Sequence, residues 1–246
     1  MKRLKYLLFL IVTGVIIVLP EGCKKTEDNV IEKGKVTDFE GNVYPTVKIG
    51  NQWWMAENLK ATKYANGDQI GSTVPNTLSI AGATSPKYNW SYMGNESYAA
   101  IYGRLYTWYA ATDSRNVCPA GWHVPSDVDW NILDDYVNSG FFGEIVGANS
   151  SAKALASVTG WVLYGISGNP GQDMASNNKS GFSAMPGGIR QPIGTYASAG
   201  LGAYYWSTTA DIPALAACRL IYFDLSTLQE RNYTKDTGVS VRCVKD

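Results

Sequence analysis

Chemistry in this chain of 246 residues has few places to happen. His123 is the single histidine, and Cys118 stands shortly before it. A thiol beside an imidazole is the pairing from which a cysteine nucleophile is built, provided the thiol is free. The competing reading makes His123 a structural imidazole that locks a turn and leaves Cys118 oxidised, as befits an exported chain. The structural reading is the expectation. No two of the four cysteines show a Cys-x-x-Cys spacing, so a zinc site is not expected. A second place is the pair of segments Gly187-Gly188-Ile189-Arg190 and Tyr204-Tyr205-Trp206. If they meet, Arg190 can stack on Trp206 or fork onto a ligand carboxylate, with Tyr204 and Tyr205 alongside. Otherwise Arg190 makes an internal salt bridge and Trp206 is core. Arg190, Tyr204, Tyr205 and Trp206 are the candidate ligand-binding residues.

Other chemistries find less support. The chain carries 21 basic and 21 acidic residues, which leaves no electrostatic footprint for nucleic acid. No phosphate-cradling glycine loop and no nucleophile elbow is present. Acids are scattered, so paired-carboxylate glycosidase chemistry is neither assigned nor excluded. No cofactor is expected.

The elements that position these residues begin with a helix. Pro119 and Gly121 make a turn, and Ser126 with Asp129 gives Ser-x-x-Asp, a capping box. Trp130, Leu133 and Val137 then share one helical face, and Asn138, Ser139 and Gly140 end it. Residues 43–49 and 52–59 read as strands, with Trp53 and Trp54 on opposite faces. Residues 62–98 read as loop with a short ribbon around Tyr88, Trp90 and Tyr92. Residues 101–112 suit either a helix or a strand. Residues 151–158 offer a further turn or two of helix. Residues 161–166, 182–185, 204–208 and 218–224 read as strands, and residues 186–202 as a long Gly-rich loop. Residues 239–244 alternate and are β-branched, hence one more strand. Cys218 is flanked by Ala216, Ala217 and Leu220, as for a thiol packed in a core. Few helices and many short strands give an α+β domain.

Several stretches, in order, resemble one family. They are Trp54-Met55-Ala56-Glu57-Asn58-Leu59, then Cys118-Pro119-Ala120-Gly121-Trp122-His123-Val124-Pro125-Ser126, Gly181-Phe182-Ser183-Ala184, Pro186-Gly187-Gly188-Ile189-Arg190, Tyr205-Trp206-Ser207-Thr208-Thr209 and Ser240-Val241-Arg242-Cys243-Val244-Lys245-Asp246. Together they resemble the Fibrobacter succinogenes major paralogous domain over roughly residues 36–246. That resemblance implies a secreted bacterial domain with a fold similar to the C-type lectin-like and formylglycine-generating-enzyme group, and it tips residues 101–112 toward a short helix. It also implies a long-range disulfide from Cys118 to Cys243, with Cys218 left out. The copper-holding cysteine pair of formylglycine-generating enzymes has no counterpart at matching positions. Calcium lectin motifs are incomplete: Gln191-Pro192-Ile193 lacks the acid, and Trp206-Ser207-Thr208 lacks Asn-Asp. No metal is therefore expected.

The N-terminus reads as an export signal. Lys2, Arg3 and Lys5 precede an apolar run over residues 6–19 that is too short for a comfortable membrane span. Gly22-Cys23 follows, as in a bacterial lipoprotein, although Pro20 and Glu21 depart from the usual pattern. The expected organisation is a signal over residues 1–22, lipidated Cys23 with a polar tether to residue 35, and one domain over residues 36–246. A lipid with several chains on Cys23 would hold the protein on a membrane, the outer membrane by expectation. The expected function is non-catalytic binding of a glycan or protein. The alternatives are a structural or adhesive surface module and, after that, an enzyme.

Overall fold

The computed structural model describes residues 31–140, 150–210 and 212–246. The expected signal, Cys23 and most of the tether lie outside the described residues. Among the described residues, thirteen short strands and four short α-helices follow one another. They are β1 (Lys33–Thr37), β2 (Val43–Ile49), β3 (Gln52–Met55), β4 (Asn89–Trp90), α1 (Glu96–Tyr102), β5 (Leu105–Tyr106), α2 (Trp108–Ala111), β6 (Trp122–His123), α3 (Asp127–Asn138), α4 (Ser151–Leu155), β7 (Gly187–Arg190), β8 (Tyr196–Ala199), β9 (Gly202–Trp206), β10 (Leu215–Tyr222), β11 (Gln229–Thr234), β12 (Val239–Ser240) and β13 (Val244–Lys245). The strands form sheets ordered β1-β2-β3-β13-β6, β11-β10-β9-β12-β5-β4 and β7-β8. Every named pair is antiparallel except β9 with β12. The fold is α+β, as expected.

α3 forms for the reasons its sequence gives. Ser126 Oγ accepts from the Asp129 N–H, and the Ser126 N–H donates to Asp129 Oδ2 at 2.8 Å, which satisfies two groups at the helix start. Trp130, Leu133 and Val137 are its buried side chains. They enter a core with Trp54, Phe182 and Tyr205. A second core holds Met55, Tyr106, Tyr204, Trp206 and both disulfide cysteines. Successive residues of a strand point to opposite faces. β9 therefore feeds Tyr204 and Trp206 to one core and Ala203 and Tyr205 to the other. Trp54 is likewise buried, while Trp53 on the opposite face is half-buried.

The disulfide joins Cys118 to Cys243 with Cα atoms 6.0 Å apart, and Cys218 is a free, buried thiol. The expected strand at 239–244 is two strands. β12 inserts between β9 and β5, and β13 between β3 and β6. Arg242 and Cys243 occupy the crossing between sheets. Other expectations need correction. Residues 161–166 make no strand, and Leu163 and Ile166 stay exposed. Residues 182–185 supply only a bridge from Ala184 to Ala156. Residues 101–112 are divided among the end of α1, β5 and α2. The Gly-rich stretch 186–202 contains the β7–β8 hairpin. Gly188 permits it: its φ is +67° and a Cβ there would lie 2.2 Å from the Ala197 carbonyl oxygen, so only glycine fits.

Candidate functional site

The four candidate binding residues do not form an open site. Arg190, Tyr205 and Trp206 are each 0% exposed, and Tyr204 is 4%. For the three aromatic residues the cause is the position of β9, covered on both faces. Trp206 Nε1 donates to the Tyr106 carbonyl at 2.7 Å, which satisfies the indole inside the core. Tyr205 packs on Trp130 with ring centroids 5.6 Å apart. Tyr204 meets Tyr233 edge to face at 5.8 Å. Arg190 stacks 4.0 Å over Trp90 rather than Trp206. Its guanidinium donates to the carbonyls of Asn76, Leu78 and Gln191. It has no carboxylate partner among the described residues, so the salt-bridge reading is corrected as well. Arg190 holds the loop around Asn76 and Leu78 against the hairpin.

His123 sits in β6, paired with Val244. Its Nδ1 lies 2.6 Å from Asp246 Oδ1 and its Nε2 3.5 Å from Asp129 Oδ2. The Cys118 sulfur is bonded to Cys243, so it is no thiolate for this imidazole. His123 instead bridges the start of α3 to the strand after the disulfide. Among the described residues, no group of three His, Cys, Asp or Glu side chains is placed to hold a metal ion.

The concave surface with binding character lies beside the expected segments. A cleft of about 720 Å³ is walled by Ala81–Ala83, Tyr109, Ile189, Gln191–Ile193, Ala214, Leu215 and the run Asn232–Thr237. That volume is typical of a small-molecule site. Local bonds build its rim. The Lys235 N–H donates to the Ala214 carbonyl at 3.1 Å, and the Trp108 N–H to the Lys235 carbonyl at 3.0 Å. The turn from Thr234 to Thr237 closes on its own backbone at 2.9 Å. Opposite, the Thr195 hydroxyl donates to Gln191 Oε1 at 2.8 Å, and the Ile80 N–H reaches the Pro192 carbonyl at 2.8 Å.

The walls combine rings, apolar surface and hydrogen-bonding groups. Tyr109 and Tyr233 are half-buried, and Ile193 is 59% exposed. Burial raises the Tyr233 phenol above its ordinary value, so it stays a neutral donor and acceptor. The Lys235 ammonium lies 4.3 Å over the Trp108 ring. Asp236 Oδ1 is buried and has no hydrogen-bond partner among the described residues. Such a wall can stack a ring or sugar face on tyrosine and exchange hydrogen bonds with Gln191, Asn232 and Asp236. Sequence reading missed Tyr233 and Asp236. The available signal was the polar turn Thr234-Lys235-Asp236-Thr237 directly after an aromatic residue.

Compared with known proteins, the sequence profile of the Fibrobacter succinogenes major domain matches residues 47–245. No curated protein and no solved structure matches the chain.

Proposed function

The chain belongs to that domain family, and from this we propose that it is a non-catalytic binding protein of the cell envelope whose ligand is a glycan or a protein segment. The observation that carries the reading is the cleft between Tyr109 and Tyr233, lined also by Gln191, Asn232 and Asp236. Aromatic rings with a few convergent polar groups in a preformed hollow are the usual makeup of a ligand site. The cleft holds a single carboxylate among the described residues, which suits recognition better than acid–base chemistry. A C-type lectin-like fold is part of the proposal. It is supported by short helices on small antiparallel sheets and by a disulfide from the entrance of α3 to the β12–β13 crossing. The envelope location rests on the basic, apolar and Gly22-Cys23 pattern at the N-terminus.

The test is a glycan array probed with the full-length chain and with Tyr233→Ala and Tyr109→Ala. Losing one stacking ring weakens binding by about 1 kcal/mol, roughly fivefold. Array signals that are absent, or that both variants leave intact, would refute a glycan site in this cleft. Detergent partitioning of wild type against Cys23→Ser checks the anchor. Equal partitioning would remove it.

A further inference from the structure

A second cleft, of about 530 Å³, lies between the β2–β3 region and the loop around Ser183. Its lining includes Lys33, Glu57, Asn58, Lys60, Asn178 and Ser183. Directly behind two of these residues sits Arg242, which is 0% exposed. The Arg242 guanidinium donates to the carbonyls of Phe182 and Ser183 and to Asn58 Oδ1. It stacks 4.3 Å over the Phe182 ring. Its Nε has no partner, and no carboxylate reaches ion-pair distance of it among the described residues. Among the described residues, the hydrogen bonds of this cation run to neutral acceptors.

The charge around the cleft is therefore unbalanced. Lys33, Lys60 and Arg242 face a single acid, Glu57, whose carboxylate lies 2.9 Å from Lys60 Nζ. Lys33 is exposed and makes no ion pair among the described residues. Low-dielectric walls around charges of one sign concentrate their field in the hollow between them.

The wall carrying Ser183 is also fixed in advance. Asn178 and Ser183 have φ of +63° and +56°, a left-handed conformation that costs such residues energy. Two bonds lock it: Asn178 Nδ2 donates to Ser183 Oγ at 2.6 Å, and the Ser183 N–H donates to Asn178 Oδ1 at 2.8 Å. Ser183 Oγ accepts in that arrangement, which leaves its own proton to be donated.

We propose that this cleft binds a small organic carboxylate, held by Lys33 and Lys60 at the rim and by the Ser183 hydroxyl at the wall, in the field of buried Arg242. This site is separate from the tyrosine-walled cleft and does not rest on it.

The test is calorimetric titration of the full-length chain, in detergent, with succinate and with succinamide as its uncharged analogue. Succinate binds, succinamide does not, and added salt weakens the affinity. Lys33→Met and Lys60→Met each weaken succinate roughly fivefold, and Glu57→Gln tightens it by a similar factor, as expected for single partly exposed charges. All three changes lie at half-exposed or exposed positions, so the fold survives them. The proposal is overturned if succinate gives no heat, if succinamide binds equally, or if the three variants leave the affinity unchanged.

Discussion

Removing the Cys118–Cys243 bond by the double change Cys118→Ala, Cys243→Ala tests the framework on which both clefts depend. The bond closes a loop of 125 residues. In the chain-entropy account, opening a loop of that size returns about 5 kcal/mol of disorder to the unfolded chain. Native strain and residual structure subtract from that figure, and disulfides typically deliver about 2–4 kcal/mol. Packing adds a little back, because Cys118 and Cys243 are 1% and 0% exposed and alanine leaves a gap where each sulfur was. The expected net loss is about 3–5 kcal/mol. In a domain of this size it lowers Tm by roughly 10 °C. Scanning calorimetry of wild type and double variant, without reductant, measures it. A Tm shift below about 2 °C would refute the reasoning. So would a non-reduced peptide map that joins Cys118 or Cys243 to Cys218.

Two further outcomes follow from buried groups. Burial pushes the Cys218 thiol up to about 12, so it stays protonated at pH 8. A Cys23→Ser chain treated with an aromatic disulfide reagent is therefore silent when folded and yields one thiol when unfolded; prompt reaction of the folded chain would contradict this placement. Asp113 is held below the usual carboxylate range, first by its hydrogen bonds from Arg115, with Lys87 at 2.7 Å adding to the effect. A depressed folded value means this contribution is present above the unfolded value of about 3.9 and lost as pH falls toward the folded one. Asp113→Asn should cost about 1–3 kcal/mol at pH 7, and urea midpoints of the two proteins should converge in strong acid. A gap that persists there would show that charge is not the cause.

Local features were readable from the residues alone. The capping box at Ser126 and the Trp130-Leu133-Val137 stripe depend on neighbours in sequence, and both are in place. The α+β class followed from short alternating runs. The disulfide partner of Cys118 came instead from family likeness, since no local rule selects Cys243 over Cys218. Burial of Trp206 was one of two readings that the residues left open. Alternation marks a strand with one wet face, whereas every residue of β9 is buried. Arg190 misled for a related reason. Its acceptors are backbone carbonyls of Asn76 and Leu78, more than a hundred positions away, and carbonyls leave no signature in residue type. The tyrosine-walled cleft assembles from five separated segments, so its members carry no common spacing.

The way residues 239–245 divide themselves between two sheets bears on how the domain is made. β12 separates β9 from β5, and β13 separates β3 from β6. Each of those four neighbours leaves the ribosome before the segment that joins them. Until residues 239–245 emerge, β1-β2-β3 stay apart from β6 and β11-β10-β9 from β5-β4, with inner edges open to other chains. Closure thus waits for the last made of the paired segments, and long-range pairing of this kind is slow. A stop codon placed before residue 239 would leave both sheets open at those inner edges.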